Sequence, residues 1–389
     1  MRRRLGVIGL AVAVVVAACL AWEPSRVALQ AAVMLPNLLD AGPKPLGVFS
    51  EEPMRSSIPY RPTEAGRDPD LAELWLPAWA SVERPAGAML LVFGVNNVGR
   101  NHPAIVRVAD ALARTGVAVL VPDSRTLLEG RLEVGEIDGV VNAFQALAAR
   151  PEVDRQRIGI VGFSVGGSLA LLAATDERIA GQVRWLNAFG AYADAAEYLA
   201  SVAAHAYVGP DGSEVTWLPT PLAREVYLTF LLDQVPDRAD RERLRREYGE
   251  ALVAGDPPNA RREVRDALAS ERARAVWDLI AVDSLDGARA AIAALPGPSR
   301  AFIAAISPAG QLDGLAADVY LMHERDDHHV PFVQSRALAA SLNEAGLLAR
   351  HTEFRLFDHV QPGNLDLLPA LPELWKLLWH VHALMVETL

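Results

Sequence analysis

The chain has 389 residues, of which 51% are hydrophobic and 22% are charged. This composition is that of a globular protein with one large core or two smaller ones, and it excludes an intrinsically disordered chain. The formal net charge is −11, and no block of Lys and Arg is interleaved with aromatic residues. We therefore expect no nucleic acid among its partners.

The first 22 residues differ in character from the rest. Met1-Arg-Arg-Arg4 precedes an uncharged apolar run over residues 5–22, which as a helix would span about 27 Å, close to the thickness of a bilayer core. Basic residues ahead of an apolar run are typical of a bacterial secretory signal or a membrane anchor. We predict that residues 1–22 contact the membrane and that the rest of the chain lies outside the cytoplasm, in the cell envelope.

The single cysteine, Cys19, follows Val16-Ala17-Ala18, a pattern similar to a bacterial lipobox. Lipid attachment at Cys19, an uncleaved anchor and an ordinary cleaved signal peptide all remain open. With no second cysteine, the domain must be stable without internal disulfides. Residues 23–50 are interpreted as a connector, with a short apolar helix that either lies on the membrane surface or packs on the domain.

Beyond residue 70, short strand-like runs alternate with helical patterns of period 3.6. This alternation predicts an α/β fold with a mostly parallel central sheet and helices on both faces. The strand-like runs lie at residues 74–76, 89–93, 117–121, 158–161 and 183–188.

The fourth of these runs ends in G-x-S-x-G, with Ser164 between Gly162 and Gly166. This pattern is typical of a nucleophile elbow, in which a tight strand-to-helix turn exposes a serine hydroxyl. The small residues are needed because side chains would collide across the turn. A dinucleotide-binding loop is not expected, since serine occupies the position where a Rossmann loop needs glycine.

A serine hydroxyl is a poor nucleophile at neutral pH, so the elbow requires a histidine base and a carboxylate, which follow the serine in this fold. A strand-like run at residues 319–322 is followed by Asp326 and Asp327. A second run at residues 352–357 ends at Asp358-His359. His351 begins that run whereas His359 follows it, so we predict that His359 is the base.

The motifs V-D-x-x-R-I-G-I-V-G-F-S-V-G-G at 153–167 and D-x-x-V-P at 327–331 are similar to those of the α/β-hydrolase superfamily. The chain resembles in particular its dienelactone-hydrolase-like and prolyl-oligopeptidase-like branch, over residues 50–192 and 300–389. In that branch the acid stands three residues before Val-Pro, which implies Asp327 rather than Asp326. The implied triad is Ser164, Asp327 and His359.

Hydrolysis of this kind needs two N–H donors that face the developing oxyanion. The backbone N–H of Val165, directly after the serine, is the first, and the resemblance implies that of Val95 as the second. The sequence departs from the branch at two places. Phe93-Gly94 stands where the branch has His-Gly, and Asp358 stands where a glycine commonly precedes the catalytic histidine.

The segment between residue 193 and the acid-bearing strand is far longer than the fold requires. We predict a hydrolase core at residues 51–193 and 301–389, interrupted by a helical cap at 194–300. Helical patterns in the cap cover residues 194–204, 222–232, 241–253 and 262–290. Five aromatic residues are candidates for an apolar substrate site under the cap, namely Tyr198, Trp217, Tyr227, Phe230 and Trp277.

These observations favour an exported serine hydrolase that cleaves carboxylic esters, with a small ester or acyl compound as substrate and no cofactor. No metal is expected, because His328 and His329 lack spaced partner ligands in the sequence. Two alternatives stay open. One is a peptidase of the prolyl-oligopeptidase type acting on small peptides. The other is a non-catalytic binding module that keeps the hydrolase fold, a hypothesis motivated by the departures at Phe93 and Asp358.

Overall fold

The computed structural model describes residues 23–61, 69–96, 98–257, 259–363 and 367–389. The predicted signal or anchor, including Cys19, lies outside these residues. Within the described part, no helix is both long and apolar enough to cross a membrane.

The centre of the molecule is an eight-stranded sheet with the strand order β1-β2-β4-β3-β5-β6-β9-β10. The six strands from β4 to β10 run parallel, and β2 is antiparallel to both of its neighbours. The predicted mostly parallel sheet is confirmed. Its strands are β1 (Met54–Pro59), β2 (Leu71–Leu76), β3 (Ala86–Val92), β4 (Ala118–Pro122), β5 (Val153–Phe163), β6 (Trp185–Phe189), β9 (Asp318–Glu324) and β10 (Leu348–Phe354).

Two short hairpins lie outside the sheet. They are β7 (Ala206–Val208) with β8 (Glu214–Thr216), and β11 (Phe357–Asp358) with β12 (Gln361–Pro362). The helices are α1 (Glu23–Leu38), α2 (Leu46–Phe49), α3 (Pro103–Arg114), α4 (Arg125–Leu128), α5 (Gly135–Ala148), α6 (Val165–Ala173), α7 (Ala195–Ala204), α8 (Pro221–Asp233), α9 (Arg238–Ala254), α10 (Arg262–Asp266), α11 (Glu271–Ile280), α12 (Leu285–Ala293), α13 (Gly297–Ala305), α14 (Val333–Glu344) and α15 (Leu367–Thr388).

Helices cover both faces of the sheet. The apolar residues of α5, α6 and α14 form one core with the sheet, and those of α1, α3 and α15 form another on the opposite face. Strand β3 is buried along its whole length, as expected for a parallel strand covered on both sides. The chain therefore has three layers, and the carboxyl ends of the parallel strands meet at one edge.

Helix α1, part of the segment interpreted as a connector, packs on the domain. Val27, Ala31 and Met34 are buried, and Gln30 Nε2 donates a hydrogen bond of 3.2 Å to the carbonyl of Thr115. These contacts attach α1 to α3 and α15. The alternative in which this helix lies free on a membrane surface does not describe the structure.

The segment between β6 and β9 is mainly helical, from α7 to α13, and it has an apolar core of its own. The helical pattern predicted over residues 262–290 corresponds to three helices in the structure. Ser270 Oγ accepts from Ala273 N at 3.1 Å and Ser284 Oγ accepts from Gly287 N at 3.3 Å. Because serine caps helix N-termini by this bond, the segment divides into α10, α11 and α12.

A buried histidine joins α15 to the sheet. His380 accepts a hydrogen bond from Thr352 Oγ1 at Nδ1 and donates one from Nε2 to Asn187 Oδ1, both at 2.8 Å. A neutral imidazole satisfies both partners. Burial, and secondarily the positive charges of Arg350 and His351, lower the pKa of His380 to about 3.

This histidine should make the free energy of unfolding pH-dependent. Below its ordinary pKa of 6.5, the unfolded chain binds a proton that the folded protein does not bind until about pH 3, so stability falls as the pH falls. One proton corresponds to a slope of about 1.4 kcal/mol per pH unit. In urea unfolding between about pH 4 and 6, His380→Gln should show a shallower slope than the wild type. Equal slopes would contradict the assignment.

Candidate active site

Ser164 lies directly after β5, at the sharp turn into α6. Its φ of 56° and ψ of −135° form a strained conformation that costs about 1–3 kcal/mol and is common at functional sites. A Cβ added at Gly162 would lie 2.4 Å from Gly167 Cα, and one at Gly166 would lie 2.4 Å from the carbonyl oxygen of Val92. The turn therefore needs glycine at both positions, as the sequence motif indicates.

Asp327 lies in the loop that follows β9, and its carboxylate is buried. Oδ1 accepts from the backbone N–H groups of His329 at 2.6 Å and Val330 at 3.0 Å. Oδ2 lies 2.6 Å from His359 Nδ1 and 3.3 Å from His323 Nε2. Burial alone would raise the pKa of Asp327, but the charges and hydrogen bonds of the two histidines outweigh it, so the pKa is held well below its usual value.

The neighbouring acid is placed differently. Asp326 is exposed to solvent, and its backbone N–H donates to Glu324 Oε1 at 3.3 Å. Asp327 is instead only 3% exposed, and its carbonyl accepts a hydrogen bond of 2.8 Å from Trp217 Nε1 in the cap. Of the two candidate acids, the structure brings Asp327 to the histidine.

His359 occupies the turn between β11 and β12, with a φ of 59°. The buried Glu324 orients this turn, because its Oε2 accepts from Leu356 N at 2.7 Å and Phe357 N at 2.8 Å. Gly190, directly after β6, faces the ring, and a Cβ there would lie 2.7 Å from His359 Cε1. The imidazole thus rests against the backbone of a neighbouring strand.

The second ring nitrogen of His359, Nε2, is buried and has no hydrogen-bond partner among the residues that the structure describes. His359 and Ser164 line the same cavity. Nδ1 is held by Asp327, so Nε2 is the nitrogen left to accept a proton from the serine hydroxyl. The structure joins Asp327 to His359 by a hydrogen bond and places Ser164 on the wall of the cavity that His359 also lines.

The predicted oxyanion donors lie next to the serine. A Cβ added at Gly94 would lie 3.1 Å from Ser164 Cβ and 3.0 Å from Val165 Cγ1, so the backbone before Val95 approaches the elbow closely. Asn96 shapes this loop, since its Nδ2 donates to the Gly94 carbonyl at 3.1 Å. Both valines line a cavity together with the serine.

Phe93 explains the first departure from the family pattern. Its ring stacks on that of Phe163 at a centroid distance of 4.6 Å and an interplanar angle of 2°. The side chain at this position is thus a packing residue beside the elbow. The backbone donors that follow it do not require a histidine there.

His329 stacks on His359 at a centroid distance of 4.5 Å. Burial, and next the charge of His359, lower the pKa of His329 to about 4, so this ring is neutral at pH 7 and is a weaker base than an ordinary imidazole. These two histidines and Asp327 present ligand atoms within 4.8 Å of one another. Because both oxygens of Asp327 already accept hydrogen bonds, the group fits a triad better than a metal site.

Two cavities meet at Ser164. The cap-side cavity has a volume of about 360 Å³ and the helix-side cavity, which lies between the sheet and α1, α3 and α15, one of about 340 Å³. Three of the five aromatic candidates line the cap-side cavity, namely Tyr198, Tyr227 and Phe230. The other two do not, because Trp217 bonds to the Asp327 carbonyl and Trp277 donates to Tyr248 Oη at 3.0 Å.

Sequence reasoning missed three residues that support the site. Gly190, His323 and Glu324 each contact or orient a triad member or its loop. Gly190 follows a predicted strand directly, and a glycine at the carboxyl end of a parallel strand is the signal that could have indicated it. His323 and Glu324 lie inside a buried strand, where a polar residue needs a partner.

Comparison with known proteins agrees with this geometry. Residues 85–206 match the sequence model of the Dienelactone hydrolase family. No curated protein sequence matches the chain. Among solved structures, a protein assigned as a dipeptidyl aminopeptidase IV from Bacteroides ovatus ATCC 8483 superimposes with a TM-score of 0.50 at 14% identity, over 87% of this chain and 36% of that one. At this identity the likeness shows the fold alone.

Two further structures are similar at lower scores. Dipeptidyl peptidase 4 of Porphyromonas gingivalis has a TM-score of 0.49 at 15% identity, again over 87% of this chain and 36% of that one. Esterase 2 of Thermogutta terrifontis has a TM-score of 0.47 at 16% identity, over 87% of this chain and 96% of the esterase. The chain thus spans about a third of the length of the two peptidases.

The contact between Gly190 and His359 can be tested. The methyl group of Gly190→Ala should displace the imidazole, and a displacement of ~1 Å costs about 100-fold in rate. We therefore expect the rate at which a fluorophosphonate labels Ser164 to fall about 100-fold. Gly346→Ala is the matched control, because Gly346 has a φ of 71° against 68° for Gly190 and an added Cβ there meets nothing within 4 Å. Labelling of Gly190→Ala at the control rate would show that the ring does not depend on this contact.

Proposed function

We propose that the chain hydrolyses carboxylic esters through an acyl-enzyme, because it has the α/β-hydrolase fold and its residues 85–206 match the model of the Dienelactone hydrolase family. Ser164 Oγ attacks the ester carbonyl carbon while His359 Nε2 takes its proton. Asp327 holds the imidazole by Nδ1 and stabilises the imidazolium that forms. The N–H groups of Val95 and Val165 stabilise the oxyanion.

The second half of the reaction uses the same groups. The carbon–oxygen bond to the alcohol breaks, and the alcohol oxygen takes its proton from His359. Water, deprotonated by His359, then attacks the acyl carbon and releases Ser164 and the acid. The proposed hydrolysis requires no cofactor.

The apolar lining of the two cavities is the observation that carries the preference for an ester. Phe230 and Phe302 line the cap side, and Phe189 and Met322 line the helix side. A peptide brings N–H and C=O groups that cost free energy when buried without partners. An ester with apolar substituents needs fewer such partners.

The decisive experiment is fluorophosphonate labelling of the full-length protein, read by intact mass, with hydrolysis of short acyl esters measured in parallel. We expect one adduct and ester hydrolysis in the wild type, and neither in Ser164→Ala. Asp327→Asn should lower kcat by about 10⁴-fold, because the wrong tautomer of the histidine is then favoured.

Asp326→Asn is the matched control, since this exposed neighbour should leave kcat at the wild-type value. Absence of an adduct in the folded wild type would favour a binding module. Turnover of proline-containing or N-terminally free small peptides well above that of esters would assign the protein to the peptidases instead.

We also propose that residues 1–22 export the enzyme and hold it at the membrane, a proposal supported by the three arginines before the apolar run at 5–22. The full-length protein should then be recovered in the membrane fraction, with its domain accessible to protease from outside the cytoplasm. Replacing Cys19 by alanine should release it from the membrane if Cys19 is lipidated. Recovery of the wild type in the cytoplasm would reject export.

A further inference from the structure

About half of the residues that line the helix-side cavity lie outside the segment matched by the family model. Met34 and Leu38 of α1 line it, as do Leu377 and Val381 of α15. Ser164 lines it too. The N-terminal helix is thus a wall of the catalytic centre.

The two cavities share the nucleophile but differ in the catalytic groups that line them. Ser164 and Val95 line both. Val165 lines only the cap-side cavity, and His359 lines only the helix-side cavity. The two substituents of a carbonyl carbon bound at Ser164 therefore lie in cavities that are lined by different catalytic groups.

The position of His359 determines which part of an ester can bind in each cavity. When the tetrahedral intermediate collapses, the electron pair of the breaking carbon–oxygen bond goes to the alcohol oxygen, which receives the proton of His359 Nε2. The leaving oxygen must therefore lie beside His359 while the acyl group stays on Ser164. We propose, on the basis of the ester hydrolysis proposed above, that the helix-side cavity binds the alcohol group and the cap-side cavity the acyl group.

The helix-side cavity suits a large apolar alcohol. Its volume of about 340 Å³ is more than twice the ~150 Å³ of an engineered apolar cavity that binds benzene. Two of the polar residues that line it are already engaged, since Asn187 Oδ1 bonds to His380 at 2.8 Å and His102 Nδ1 accepts from Ala104 N at 3.2 Å. The substrate class is an ester of a medium-chain or similarly bulky apolar alcohol.

The test compares chain length on the two sides of the ester in the full-length protein. For octyl acetate, ethyl octanoate and ethyl acetate, kcat/KM is measured in Leu38→Trp, which fills the helix-side cavity, and in Val226→Trp, which fills the cap-side cavity. Leu38→Trp should lower the kcat/KM for octyl acetate relative to that for ethyl acetate by at least about 10-fold. Val226→Trp should instead lower the kcat/KM for ethyl octanoate relative to that for ethyl acetate.

Leu29→Trp is the matched control, because Leu29 is 51% exposed on the same helix α1, and it should change neither ratio. If Leu38→Trp does not fold, Val381→Phe fills the same cavity from α15. The proposal is overturned if a helix-side variant alters the acyl ratio instead, or alters neither ratio.

A binding measurement separates this proposal from the proposed reaction. Calorimetric titration with 1-octanol should show binding to Ser164→Ala and to Ser164→Ala with Val226→Trp, and none to Ser164→Ala with Leu38→Trp. This pattern without hydrolysis of any ester by the wild type would reject the proposed function and retain the alcohol site. Ester hydrolysis with octanol binding that Leu38→Trp leaves intact would reject the alcohol site and retain the function.

Discussion

The buried carboxylate of Asp327 is the constraint on which the catalytic edge of the sheet depends. An ionised group in a protein interior is costly unless hydrogen bonds and opposite charges compensate it. Here two backbone N–H groups, His323 and His359 supply that compensation. Because the backbone carbonyl of Asp327 also binds Trp217, the same residue connects β9, the turn that bears His359 and the cap. The proposed acid, the proposed base and the cap therefore share one point of attachment.

Close approaches of backbone segments complete the site. At Gly94, Gly166 and Gly190, an added Cβ would lie 2.4–3.0 Å from the nearest atom of the elbow, the adjacent strand or the histidine ring. A site built this way holds its polar groups by rigid strands, so little reorganisation is needed when charge develops on a substrate. Parallel strands bring their carboxyl ends to one edge, and this places residues distant in the chain within contact of one another.

Elements that precede or interrupt the hydrolase core enclose this edge from two sides. The cap contributes Tyr198, Tyr227 and Phe230 above the serine, and α1 contributes Met34 and Leu38 on the opposite face of the sheet. The α/β-hydrolase fold positions the proposed nucleophile, base and acid, while the added elements line the two cavities that meet at Ser164. This division follows the general separation of fold from substrate choice.

The sequence by itself determined the parts that depend on local backbone rules. The alternating periodicities predicted the sheet, the glycines around Ser164 predicted the elbow, and the positions of Asp327 and His359 after successive strands predicted where the acid and base would lie. Helix capping by Ser270 and Ser284 was also local, yet the helical period concealed it. Only the tertiary structure decided that Gly190 faces His359, that Glu324 orients its turn and that α1 lines the active site. These contacts join residues far apart in the chain, and they arise from the packing of whole layers rather than from the conformational preference of any one segment.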